Sequence, residues 1–180
     1  MISGSSQKNN SMSRPDLTKV APFYHNYINQ VSQDNLTSAF QSGTPVFLNF
    51  IDSIPATKYD YSYAPGKWTL REMLQHIIDA ERIFDYRALR FARKDETPLS
   101  GFDHNKYVEL SKAASRDWND LKDEFRVVRR SSEYLFGSFD EDQLNATGVS
   151  SNNPLYVLGL GFIVIGHTLH HKRIIEERYL

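Results

Sequence analysis

His167 and His171 stand four residues apart in GHTLHHKRIIEERYL, the stretch from Gly166 to Leu180, with His170 between them. Four residues make about one helical turn, so the two imidazoles share a face with about 6 Å between their Cβ atoms. That spacing lets two rings reach one metal ion, as the histidine pair of an H-E-x-x-H helix does. The rest of that signature is missing, because Thr168 follows His167 where a zinc protease carries its general-base Glu. A catalytic tetrahedral zinc takes three protein ligands and keeps a fourth position for water or substrate. His76, in the run WTLREMLQHIIDAERIFDYRALRFAR, is the natural third ligand. His170 competes for that place but points to the other flank of the helix, where a carboxylate or carbonyl would hold it. Each ligand ring also needs an acceptor for its second nitrogen; Asp79, Glu81 and Glu176 are the candidate suppliers. Three neutral imidazole ligands would release their metal below about pH 6, as protons compete for the ring nitrogens.

The plainer alternative makes every one of these rings a core histidine with a hydrogen-bond partner, since an H-x-x-x-H pair also arises in helices by chance. Spacing alone leaves both readings open. His25 and His104 fall in loop or capping segments and are read as structural, with His104 placed to border a pocket. Most charges of ERIFDYRALRFARKD read as a solvated helix face, although Arg87 lies near the apolar stripe and could meet an anionic ligand. No G-x-S-x-G elbow is present, and Gly159 and Gly161 lack phosphate-loop spacing, so close helix packing explains them better.

Four long helices are needed to bring His76 to the terminal pair. The clearest is the run from Trp68 to Arg93: Thr69 and Glu72 form a capping box, and Met73, His76, Ile77, Ala80, Ile83, Phe84 and Phe91 make one stripe. Before it, Leu36, Phe40, Gly43, Phe47, Phe50 and Ile54 form a seam interrupted by Pro45. A kink is expected there, or a restart with Thr44 as cap. A third helix carries Trp118, Leu121, Phe125, Val128, Ser132 and Leu135, and a fourth runs from about Pro154 towards the C-terminus. No segment alternates convincingly as a strand. The connection from Lys94 to Ala114 is long for adjacent antiparallel helices and suits a bundle in which two neighbours run parallel. The expected fold is all-α, a four-helix bundle over residues 34–180, preceded by a capping segment at 16–33 and a flexible polar tail at 1–15.

Composition narrows the function. With 21 basic and 22 acidic residues the formal net charge is −1, and no basic stripe announces nucleic acid. There is no cysteine, which excludes disulfides and thiolate ligands and fits a cytoplasmic protein; any thiol chemistry would use an external thiol. The N-terminal stretch lacks the apolar region of a secretory signal, and PLYVLGLGFIVIGH is too short to span a bilayer comfortably.

Three stretches together, APGKWTLREMLQHIIDAERIFDYRALRFAR, TPLSGFDHNKYV and GHTLHHKRIIEERYL, resemble the DinB-like superfamily of four-helix-bundle metalloenzymes, over roughly Asp34 to Leu180. The resemblance implies an up-down-down-up helix order with the long crossover between the second and third helices. It also implies frequent homodimers and a divalent metal on the positions matched by His76, His167 and His171. Relatives that activate a low-molecular-weight thiol, such as bacillithiol or mycothiol, make a thiol-dependent transferase acting on a small molecule the leading expectation. The ion would be Zn²⁺, with Ni²⁺ or Fe²⁺ as alternatives. Metal-dependent hydrolysis at the same site and a non-catalytic stress-response or binding module are the rivals.

Overall fold

The computed structural model describes residues 14–180; the expected N-terminal tail lies outside the described residues except for Arg14 and Pro15. Seven α-helices follow one another: α1 (His25–Asn29), α2 (Leu36–Ser53), α3 (Leu70–Ala92), α4 (His104–Leu110), α5 (Trp118–Gly137), α6 (Glu141–Asn145) and α7 (Val157–Arg178). Local chemistry sets their starts. Asn35 caps α2 by accepting from the Ser38 N–H, Asp117 caps α5, and Thr69 and Glu72 close the expected capping box on α3.

The four long helices form the bundle, and side-chain pairs give their directions. Arg82 meets Glu124 at 2.6 Å and Ser132 meets Asp85 at 2.7 Å, so α3 and α5 run parallel. On α2 and α5, Phe40 faces Phe136 and Phe47 faces Phe125, an antiparallel pairing. Gly43 abuts Ile165 and Gly161 abuts Leu36, so α2 and α7 are parallel. His76 lies against His171, and Phe84 against His167, which sets α3 antiparallel to α7. The order is therefore up-down-down-up, and the parallel α3–α5 pair requires the connection that carries α4. Among the described residues no helix is long and apolar enough to cross a membrane.

Helix α2 runs unbroken through Pro45, and Thr44 donates to Glu133 at 3.0 Å, so of the kink or restart expected there the restart does not occur. Pro154 does not open the last helix. It lies in a small antiparallel hairpin, β1 (Thr147–Ser150) and β2 (Asn153–Tyr156), paired Thr147↔Tyr156 through Ser150↔Asn153. Ser151 and Asn152 adopt left-handed backbone conformations between the strands, the geometry of a tight hairpin turn, and α7 starts only at Val157.

Helix α7 is the centre of the bundle. Every residue from Val157 to Thr168 is buried, because α2, α3 and the N-terminal segment cover it from different sides. The short helix α1 docks against it at Gly166, where an added Cβ would sit 2.0 Å from the Tyr27 carbonyl oxygen. The obstacle is backbone and cannot swing aside. Gly166→Ala is expected to destabilise the fold by about 1–3 kcal/mol through overpacking, read as a lower urea midpoint.

A polar layer divides the core. One apolar cluster surrounds Phe84, Phe91, Phe136 and Phe162; the other surrounds Phe47, Ile77, Trp118 and Phe125. Between them lie the histidines and a buried network. Arg129, 1% exposed, holds Glu81, 2% exposed, through two parallel bonds of 2.7 and 2.8 Å, and gives a third bond of 2.8 Å to Thr168. Glu81 is thus buried, contrary to the solvated face expected of most charges in that stretch, and Arg87, expected near the apolar stripe, is buried too.

Asp85 extends the network. The Ser132 hydroxyl lies 2.7 Å from both Glu81 and Asp85, yet it has one proton to give. A proton on Asp85 Oδ2 reverses one of these bonds and reconciles the geometry. Burial, and then the charge of Glu81, push Asp85 up to about 7. The unfolded carboxyl titrates near 4, so the native state holds the extra proton between these values and stability falls as pH rises through that window. Asp85→Asn keeps a donor towards Ser132 without the charge. Its stability over the native protein should grow between about pH 5 and 8, reaching about 1–3 kcal/mol, by urea denaturation at both pH values.

Candidate metal centre

Helix α3 presents His76 from its core-facing stripe, and α7 presents His167 and His171 one turn apart on the facing side. The Nε2 atoms of His76 and His171 lie 3.2 and 3.0 Å from Nε2 of His167, and the three rings form one cluster of ligand atoms within 4.8 Å. All three side chains are buried, at 8%, 5% and 7% exposure. Burial pushes His76 down to about 4, helped by nearby His104. It takes His167 and His171 well below the ordinary imidazole range, with neighbouring histidines adding to the effect. The rings are therefore neutral and keep their lone pairs at physiological pH. Proton competition for them begins below the pH of about 6 expected of freely solvated imidazoles.

This donor set fits a divalent ion. Zinc at about 2.0–2.1 Å from each nitrogen, in tetrahedral geometry, spaces its ligands about 3.3 Å apart. The two nitrogen separations from His167, 3.2 and 3.0 Å, are close to that. Three converging ring nitrogens that have only one another as partners among the described residues are poorly satisfied by shared protons, since one lone pair must serve two neighbours, whereas one cation satisfies all three lone pairs. No carboxylate joins the cluster.

The competing ligand, His170, stays outside it: its ring stands edge-on to Tyr27 at 5.2 Å, and its Nδ1 has no partner among the described residues. None of the three expected carboxylate suppliers reaches a ligand ring as a hydrogen-bond acceptor. Glu81 is committed to Arg129, Asp79 accepts from Gln75, and Glu176 pairs with Lys172. His171 Nδ1 is buried without a partner among the described residues. His25 is structural, its Nε2 lying 3.0 and 2.9 Å from the carbonyls of Leu17 and Val20.

An aromatic collar surrounds the triad, and it was not legible from spacing. Trp68 lies over His76 with ring centroids 4.8 Å apart, Tyr27 meets His167 edge-on at 5.3 Å, and Phe84 does so at 5.8 Å. Trp68 directly precedes the capping box of α3, a place that by itself assigns it no role at the site. Exposed His104, at the start of α4, stands edge-on to both Trp68 and His76 and borders the centre as expected. Beside His171 a cleft of about 240 Å³ opens, walled by Tyr63, Trp68, Met73 and Tyr179 with Lys67 and Asn105 at its edge.

No curated protein matches the sequence. Among solved structures, the fold is similar to YfiT from Bacillus subtilis, described as a probable metal-dependent hydrolase with an unusual four-helix bundle topology. The two share 16% sequence identity, with 79% of this chain and 82% of that chain covered and a TM-score of 0.69. The family model of the DinB superfamily matches residues 39–175, a span that contains the whole histidine triad. With helix order, triad and sequence match in agreement, the chain belongs to the DinB superfamily.

Proposed function

We propose that the chain is a divalent-metal-dependent enzyme in which His76, His167 and His171 hold the ion, Zn²⁺ before Ni²⁺ or Fe²⁺, and that it transfers a low-molecular-weight thiol to a small electrophilic molecule. The observation that carries this reading is the convergence of three buried, neutral imidazole nitrogens with no carboxylate or fourth histidine beside them. Three protein ligands are the number that leaves a position for substrate; a structural site takes four. An ion bound there would supply the Lewis acidity that lets a thiol or a water lose its proton near neutral pH.

The chain's own side chains do the rest. Trp68, Tyr27 and Phe84 keep bulk water from the ligand nitrogens. The cleft beside His171 admits a small molecule against ring faces, since the Tyr179 hydroxyl is occupied in donating to the Trp68 carbonyl at 2.7 Å. His104, exposed at the edge, can carry a proton between site and solvent on its imidazole. The same proposal includes a cytoplasmic homodimer, and a chain divided into tail (1–15), capping segment (16–33) and bundle (34–180).

Titration of the cobalt-substituted protein with 2-mercaptoethanol tests the transfer reading: a thiolate-to-cobalt absorption band in the near ultraviolet is expected. An unperturbed cobalt spectrum would remove thiol transfer and leave hydrolysis. The description of YfiT as a probable hydrolase favours hydrolysis as the second reading.

A further inference from the structure

The stripe on α3 that carries His76 continues through Ala80 and Phe84 to Arg87. Arg87 is 3% exposed, yet no carboxylate among the described residues pairs with it. The contrast with Arg129 is direct, for that equally buried guanidinium is answered by the two oxygens of Glu81. A guanidinium has five N–H donors. Those of Arg87 meet only the Tyr24 hydroxyl and the Ser151 hydroxyl among the described residues, each at 3.4 Å. The Phe84 and Phe102 rings, both 5.9 Å from the guanidinium carbon, attract the cation but offer no acceptor. Burying a charge without its counter-charge is unfavourable, and a fold keeps such a group where something else supplies the anion.

The neighbours of Arg87 are donors as well. Tyr24 and Ser151 accept from the guanidinium, and neither hydroxyl donates elsewhere among the described residues. A fork of N–H groups and two unused O–H groups therefore converge with no acceptor between them. That is the donor set an oxyanion requires. Two loops roof it. The connection after α3 contributes Phe102 and the β-hairpin turn contributes Ser151, and the two are tied where Leu99 pairs with Val149 and Ser151. The position also relates it to the histidines: the Phe84 ring that flanks Arg87 lies 5.8 Å from the His167 ring.

We propose that Arg87, with the Tyr24 and Ser151 hydroxyls, binds an oxyanion group, a carboxylate or a phosphate. The anion site itself does not depend on a metal; taken with the functional reading given above, on which this link rests, it sets an anionic ligand one aromatic ring, Phe84, from the histidine triad.

Calorimetric titration with inorganic phosphate and with acetate, at constant ionic strength in chloride, tests it on metal-loaded protein and on the His76→Ala variant. Binding of at least one anion is expected in both proteins, and which one binds separates phosphate from carboxylate. Arg87→Met should weaken it at least about tenfold, and Arg87→Lys, which keeps the charge but loses the fork, by less. Without added anion, Arg87→Met should unfold at a urea midpoint no lower than the native protein, because it removes an unanswered buried charge. Absence of binding, or binding unchanged in Arg87→Met, would overturn the proposal; so would a lowered midpoint, which would make Arg87 a structural support. Binding confined to metal-loaded protein would place the anion on the metal, overturning this inference while sparing the functional reading. Anion binding in a protein that never takes up metal would do the reverse.

Discussion

His76→Ala protein is expected to fold and to lose its metal. Native protein isolated after zinc supplementation should carry close to one equivalent, and the variant almost none, by elemental analysis. Two nitrogens remain on α7, but a pair from a single helix turn encloses an ion from one side only. Changes that merely reorient a ligand already cost about 10–100-fold in metal affinity, so removing a ligand outright should exceed that range. Folding should survive, because His76 makes no bond to the backbone and its loss relieves crowding among imidazoles that burial holds neutral. Acidification sharpens the test. With the His76 ring held down to about 4, native protein should keep its metal at about pH 5.5 and release it only closer to that value. Equal metal in native and variant proteins, or none in either after supplementation, would turn the triad into three core histidines and send the search for function to the surface.

The second large effect lies one turn from the triad. Arg129→Met should destabilise the fold by about 3–5 kcal/mol, the cost of stranding a buried carboxylate without its partner. Glu81 would retain only the bond from the Ser132 hydroxyl, beside Asp85, whose carboxyl burial already pushes up to about 7. Thr168 would lose its bond from the guanidinium but keep the one it donates to the Val164 carbonyl at 3.0 Å, so α7 itself should persist. The double variant Glu81→Gln/Arg129→Met removes both charges and should recover most of the loss, because charge isolation and not lost volume is the cause. Urea denaturation of the single and double variants separates these contributions. A double variant as unstable as the single one would mean that packing of the long Arg129 side chain carries the effect.

What the sequence disclosed depended on whether a signal was local. Thr69 and Glu72 sit three residues apart, and the stripe through His76 repeats at helical spacing, so α3 was legible with His76 in place. His167 and His171 are one turn apart and were legible for the same reason. The Lys94–Ala114 connection announced the parallel helix pair by length alone. The start of α7 was misread because proline suits a first helical turn and a strand edge equally well; the deciding feature was the left-handed pair Ser151–Asn152 before it. The ionic layer was invisible for a different reason. Glu81 and Arg129 are 48 positions apart, and each has an exposed arginine, Arg82 or Arg130, as its next neighbour, so each reads as the start of a solvated face. Only the direction of α5 against α3 brings them together. Arg87 was noticed for its place near the stripe, but its lack of a counter-charge appears only when every neighbour is known.

The polar layer has a consequence for how the molecule opens. All four long helices pass from one apolar cluster, through the layer, into the other, so the protein resembles two cooperative folding units sharing a hinge plane. Each half can loosen without exposing the other's hydrocarbon, and the plane between them is where the two are coupled. Ligands drawn from two helices that both cross that plane would make an ion there a rivet as well as a reagent. Metal loading should therefore bring the slowest-exchanging amides of the two halves towards a common opening free energy, turning two foldons into one.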